Sequence, residues 1–184
     1  MMKAFACDSV TGHPLLRKRK TCACGREADH TGILYLKALQ LSDADYLLTL
    51  FSKPVWDNLG LKPIHTLQRA CSFIRGEGSN QDRRFGVWHT EHGLIGSVAY
   101  GVHAKEVFIS YWITPLFQGQ GYGREAVGLL LSLIEQHDVD FILADVYHDN
   151  LPSQALLQSI GFRQYECLGK HRQRPAIRWI KMVR

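Results

Sequence analysis

The residues best placed to do chemistry are Gln118-Gly119-Gln120-Gly121-Tyr122-Gly123-Arg124. An apolar run, Val107 to Ile113, precedes them. Behind them, Glu125 to Ile134 carries Ala126, Val127, Leu130, Leu131 and Ile134 at helical spacing. A strand, a glycine-rich turn and a helix in that order make an anion site. Glycines let the backbone approach a ligand closely, and the first N–H groups of a helix lack intrahelical acceptors. Those groups and the positive end of the helix dipole favour a phosphate or pyrophosphate. Arg124 agrees, because the dipole disfavours a cation in the first turn unless a bound anion reverses the balance. The loop is not the Gly-Lys-Ser/Thr phosphate loop, since the chain has Gly123-Arg124-Glu125. Nor is it the dinucleotide fingerprint Gly-x-Gly-x-x-Gly, which fails at Arg124. A glycine-rich helix start that holds no ligand would give the same pattern, so the rest of the chain must decide.

Metal and thiol chemistry find little support. The five cysteines, Cys7, Cys22, Cys24, Cys71 and Cys167, form no CxxC pair and no evenly spaced framework. Cys22-x-Cys24 with His13 and His30 nearby fits no zinc spacing, so no metal is expected. Free thiols of a reducing cytoplasm explain the cysteines. His89, His92, His103 and His148 are the histidines available as general bases.

The elements that must position the loop follow from periodicity and turn signals. Ile33 to Ala38 reads as a first strand, and Ser42 as the cap of a helix running to Phe51. Lys53 to Pro63 reads as a loop, Thr66 to Arg75 as a helix stopped by Gly76. Arg84–His89 and Leu94–Val102 form a hairpin across Thr90–Gly93. The strand Val107–Ile113, the loop and its helix come next, followed by a strand at Phe141–Tyr147. A helix from Pro152 to Ile160 ends at Gly161, and two strands, Arg163–Leu168 and Ala176–Val183, finish the chain. The order is α/β with an antiparallel hairpin at its centre, and the strand–helix–strand around the loop should be a parallel crossover.

Length and composition allow this. One domain is expected from 184 residues, 46% of them hydrophobic, and a charged fraction of 21% argues against global disorder. No signal-peptide pattern or membrane-spanning run is visible, so the protein reads as soluble and cytoplasmic. Residues 1–30 lack any sustained period and read as a basic arm ahead of a domain at 31–184. Part of the net charge of +5 sits in Arg17-Lys18-Arg19-Lys20. That cluster is either a solvated arm or a contact to nucleic acid or the ribosome.

The loop, written Gln-x-x-Gly-x-Gly, resembles the acetyl-CoA loop of the GNAT superfamily of N-acetyltransferases. The order of elements is similar to that fold from Ile33 to Val183. A second motif stands where the family has one: Asn150-Leu-Pro-Ser153, ending in Gly161-Phe162, resembles the family's Asn-x-x-Ala/Ser…Gly-Phe segment. Tyr111-Trp112-Ile113-Thr114-Pro115 and the Asn-x-x-Ser form resemble the branch that acetylates the N-terminal α-amine of ribosomal proteins. That branch also contains acetyltransferases of small amines and antibiotics.

The resemblance implies a mixed central sheet splayed between its fourth and fifth strands, with flanking helices. It implies acetyl-CoA as acyl donor, its pantetheine amides paired with the backbone of Trp112, Ile113 and Thr114. The N–H groups of Gln118, Gly119, Gln120, Gly121, Tyr122, Gly123 and Arg124 would hold the pyrophosphate. Asn150 would bond the pantetheine and Ser153 would face the thioester sulfur, although both also suit a plain helix start. The partner would be an amine acceptor, a protein N-terminus or a small molecule, and the protein a monomer or homodimer.

Two positions depart from the family. Leu157 stands where many members have a tyrosine acting as general acid, which leaves Ser153 as the donor. Phe108 stands where the branch often has a glutamate, and Glu106 lies one alternation earlier on the same strand face. His148 lies beside the second motif. A site without a strong base should favour weakly basic amines. At pH 7 a lysine amine loses its proton at a cost of about 4.6 kcal/mol, an α-amine at about 1 kcal/mol. The same two departures motivate a rival reading, a non-catalytic acyl-CoA-binding or regulatory domain. Cys71 and Cys167 lie outside the motifs, so a cysteine acyl-enzyme is not expected.

Overall fold

A computed structural model describes residues 33–77, 83–171 and 174–183. Seven strands form one sheet: β1 (Leu34–Ala38), β2 (Arg83–His89), β3 (Gly93–His103), β4 (Glu106–Ile113), β5 (Phe141–Tyr147), β6 (Arg163–His171) and β7 (Arg174–Met182). Their order is β1-β2-β3-β4-β5-β7-β6. All neighbours are antiparallel except β4 and β5. Five helices flank the sheet: α1 (Ala44–Leu50), α2 (Lys53–Asn58), α3 (Leu67–Ile74), α4 (Tyr122–Ile134) and α5 (Leu151–Ser159). The parallel β4–β5 pair is bridged by α4, as the element order predicts.

Each face of the sheet has its own core. On one face the apolar stripe of α4, Ala126, Val127, Leu130 and Ile134, packs with Val107, Ile109, Ile142, Ala144 and the fully buried Leu157 of α5. On the other, Leu47 of α1, Val55 and Trp56 of α2 and Phe73 of α3 enclose Leu94 and Trp112. Phe51 ties that layer together, stacking on Trp112 at 5.2 Å and meeting Phe73 edge-on at 5.0 Å. Successive residues of β4 therefore serve opposite cores, Tyr111 and Ile113 on the α4 side and Trp112 on the other.

The feature that makes a site is the parting of β4 and β5. They pair only at Glu106↔Phe141, Val107↔Ile142 and Phe108↔Leu143. Beyond Phe108, β4 keeps its ladder to β3 as far as Ile113, and β5 keeps its ladder to β7 as far as Tyr147. Each strand follows its own partner, and a gap opens between them.

Two local expectations change. The segment from Lys53 to Pro63 is not all loop, because α2 forms at Lys53–Asn58 with Pro54 in its first turn and Val55 and Trp56 buried. Ser42 does not cap α1: it lies inside a 3-10 turn, Leu41–Asp43, where Asp43 Oδ2 accepts from Gln40 N at 2.9 Å. The arm at residues 1–30 lies outside the described residues. Among those described, no helix is long and apolar enough to cross a membrane.

Candidate functional site

The gap between β4 and β5 is a cavity of about 550 Å³. One end is the glycine loop. Gly121 adopts φ +86 as the residue before α4, and Gly119 adopts φ +75. A Cβ at either would meet nothing within 4 Å, so the backbone faces open space. The helical ladder begins with Glu125 N bonding Gly121 O. Among the described residues, the N–H groups from Gly119 to Arg124 have no backbone acceptor. Backbone donors without acceptors beside a concavity at a helix start, four of them on residues that line it, fit a pyrophosphate.

Gln118, whose N–H was expected to hold the pyrophosphate, has that N–H already engaged within the protein. Its N–H bonds Pro115 O in the 3-10 turn Pro115–Phe117, and its side-chain Nε2 donates to Ile113 O at 2.7 Å. It braces the loop against the end of β4 and adds no free backbone donor. Gln120 does the same within the loop, donating to Leu116 O at 3.2 Å.

The middle of the cavity carries the polar groups. Asn150 Oδ1 accepts from Ser153 N at 3.3 Å, the N-cap geometry. Ser153 Oγ lies 2.7 Å from the hydroxyl of Tyr111. Burial pushes the Tyr111 phenol up to about 12, against the opposing pull of its Ser153 hydrogen bond. Asp145 of β5, an exposed residue, also lines the cavity, its carboxylate held by Arg178 of β7 through two bonds of 2.8 and 2.9 Å. Its hydrogen bond to Asp145 is the main reason the Arg178 pKa stands above the ordinary guanidinium value; the fields of Asp145, Glu166 and Glu106 add to it. Pro54, Val55, Asn58 and Leu59 form the opposite wall at the far end.

The structure thus gathers Trp112, Ile113, Gln118, Gly119, Gly121, Gly123, Arg124, Asn150 and Ser153 around one cavity. Thr114, Gln120, Tyr122 and Glu106 are not part of its wall. Thr114 is buried and bonds Ile95 O through its N–H. Tyr122 turns toward His89, whose Nε2 is 3.3 Å from its hydroxyl. Glu106 is exposed at the start of β4, opposite Phe141, where the strands still pair and no gap exists. Six residues of strand separate it from Trp112, roughly 20 Å. None of the four histidines lines the cavity either. His89 is buried and accepts from Glu91 N and His92 N through Nδ1, which makes it a brace for the β2–β3 turn. Among the described residues, no His/Cys/Asp/Glu group has the makings of a metal site.

Sequence reasoning missed Tyr111 and Asp145. Asp145 had a signal: it is the one charge in Phe-Ile-Leu-Ala-Asp-Val-Tyr, and a charge inside an apolar strand needs a partner or a purpose. Tyr111 figured only within a branch motif, and nothing local pointed to its partner, which lies 42 positions away on α5.

Residues 34–163 match the family model described as an acetyltransferase (GNAT) domain. No curated protein matches the chain in sequence. Among solved structures, an acetyltransferase (GNAT family) from Bacillus anthracis superposes with a TM-score of 0.71 at 17% identity, over 82% of this chain and 95% of that one. Spermidine N-acetyltransferase from Vibrio cholerae, in complex with CoA and spermine, gives 0.70 at 19%, over 83% and 97%. The Salmonella typhimurium acetyl transferase that modifies the N-terminal serine of ribosomal protein L7/L12 gives 0.71 at 16%, over 84% and 97%. At these identities the likeness speaks for the fold alone.

Proposed function

The chain belongs to the GNAT acetyltransferase family, and from that premise we propose that it moves an acetyl group from acetyl-CoA to a primary amine by direct attack. The observation that carries the reading is continuity: the unbonded N–H groups of the loop, the gap between β4 and β5, and Ser153 share one cavity. The loop would take the pyrophosphate, with Arg124 beside it. The edge of β4 that β5 leaves uncovered, at Trp112 and Ile113, would take the pantetheine amides, with the Asn150 side chain across the gap. CoA in the Vibrio cholerae neighbour supports acetyl-CoA as the donor.

The amine would approach between α2 and β5. Its nitrogen bonds the thioester carbonyl carbon, the C–S bond breaks, and the electron pair leaves on sulfur, where the Ser153 hydroxyl donates a hydrogen bond. The proton shed by nitrogen leaves through Asp145, the carboxylate in the cavity wall. Neither Cys71 nor Cys167 lines the cavity, which supports direct attack over a covalent acyl-enzyme.

Asp145 already has both oxygens engaged by Arg178, so the acceptor should need little help to deprotonate. An α-amine at about 1 kcal/mol meets that condition; a lysine side chain at about 4.6 kcal/mol does not. We therefore favour a protein N-terminus or a weakly basic small amine, in the cytoplasm. The domain proper is taken to span residues 31–184, with the basic arm at 1–30 as a separate contact for nucleic acid or the ribosome. Arm-dependent binding that weakens steeply with salt would support that contact.

The test is thiol release from acetyl-CoA with peptides beginning in alanine or serine, an N-blocked lysine peptide, and spermidine. Release with the free N-terminal peptides should exceed that with the blocked peptide by tenfold or more at pH 7. Tight CoA binding with no release from any of them would refute catalysis and leave a binding domain. Ser153→Ala should cut turnover by about a hundredfold with acetyl-CoA affinity near the parent value.

A further inference from the structure

Tyr111 and Ser153 come from β4 and α5, yet their hydroxyl oxygens lie 2.7 Å apart on the cavity wall. Each hydroxyl carries one proton. If Ser153 gives its proton to Tyr111, the serine has none left to meet charge on sulfur, and the tyrosine proton turns to Ser153 O. If Tyr111 donates to Ser153 Oγ, the serine proton is free to turn into the cavity. The buried phenol of Tyr111 keeps its proton across the working pH range and so has one to donate, with Ser153 Oγ as its nearer acceptor. Its other acceptor among the described residues, Ser153 O, is further away at 3.3 Å.

Resting on the acetyl-transfer reading above, we propose that Tyr111 is a positioning residue: it donates to Ser153 Oγ and fixes the serine hydroxyl with its proton aimed at the departing sulfur. Chemistry also says what Tyr111 does not do. Passing its proton through Ser153 to a thiolate of ordinary pKa near 8.5 would be uphill by roughly three to four decades. The pair therefore works by hydrogen bonding alone, Tyr111 to Ser153 and Ser153 to sulfur, each bond strengthening the next. No proton changes owner within it, and the released thiolate is protonated by solvent. Leu157, one turn further along α5, is fully buried and has nothing to donate.

The experiment uses CoA labelled with carbon-13 next to its sulfur, bound to the full chain and titrated by NMR. The bound thiol should titrate at lower pH than free CoA. Tyr111→Phe should weaken thiolate stabilisation about tenfold, and Ser153→Ala by the same or more. The double variant should be no worse than Ser153→Ala alone, because the tyrosine acts only through the serine. A tyrosine that merely packs would leave the titration unmoved or give additive losses, and either result overturns the proposal. Should Tyr111→Phe fail to fold, 3-fluorotyrosine at 111, a stronger donor of the same shape, should lower the bound thiol's pKa further; no change would overturn the proposal. If the parent does not bind CoA, both this inference and the acetyl-transfer reading fall. If it binds CoA and Tyr111→Phe changes nothing, this inference falls alone.

Discussion

Replacing Gly121 by valine separates a ligand-holding loop from a merely glycine-rich one. Gly121 has φ +86, so any side chain there is strained, at a cost of order 1–3 kcal/mol. That cost alone says nothing about a ligand. Gly169 in β6 supplies the control, since it too has a positive φ, +63, and open space around its Cβ position, but lies outside the cavity wall. Gly121→Val and Gly169→Val should therefore lose similar stability without ligand. A ligand at a hundred times its Kd stabilises by about 2.7 kcal/mol, which for a domain of this size raises Tm by roughly 5–11 °C. The parent and Gly169→Val should show that rise with saturating CoA. Gly121→Val should show almost none, because its side chain stands where the pyrophosphate must approach the N–H groups of Gly119 to Arg124. Thermal denaturation with and without CoA reads all three proteins. A full CoA-induced rise in Gly121→Val would refute the assignment of the loop, and an equal loss of that rise in both variants would mean that strain, not occlusion, was measured.

Further outcomes follow from single contacts. Asp145→Asn should lower kcat/KM for the amine by tenfold or more while leaving acetyl-CoA affinity unchanged, measured by steady-state kinetics with an alanine-starting peptide. Gly96→Ala should destabilise the fold by about 1–3 kcal/mol in urea denaturation, because its Cβ would sit 2.3 Å from the Trp112 backbone oxygen across the β3–β4 ladder. Tyr111 gives a pH signature: its folded pKa is raised from 10.0 to about 12, so its contribution is present below pH 10 and is lost as pH rises toward 12. Stability in that window should therefore fall less steeply in Tyr111→Phe than in the parent.

What was legible in the sequence was local. The α4 stripe, the strand at Phe141–Tyr147 and the glycine loop show in residue type and period because each is decided within its own segment. The cap by Asn150 was legible for the same reason: it reaches only three residues. Long-range contacts were not. Alternation puts Glu106 on the same face of β4 as Phe108, but its height along the strand relative to the gap is set by where β5 stops pairing, 35 positions later in the chain. Helix α2 is six residues long and holds a proline, so propensity says loop; burial of Val55 and Trp56 in the layer around Trp112 decides otherwise. Gln118 fell between the two cases. Its motif position places it on the cavity wall, while its N–H was already committed to Pro115 by a turn that the sequence marks only with a proline.

The side of the cavity proposed for the acceptor follows its own logic. Phe108, Arg178, Asp145 and Glu166 face the same side of the sheet, and the Arg178 guanidinium lies 5.2 Å from the Phe108 ring while bonding Asp145. A carboxylate on β4 at Phe108 would have competed with Asp145 for Arg178. With a ring there instead, the guanidinium engages Asp145 with both bonds and has only a 3.9 Å ion pair to Glu166 beyond it. Phe108 thus does more than omit a base. It leaves Asp145 as the carboxylate of the cavity and leaves that carboxylate partnered. In the proposed reaction a partnered carboxylate would orient an amine and carry away a proton that leaves easily, which an α-amine offers and a lysine side chain at neutral pH does not.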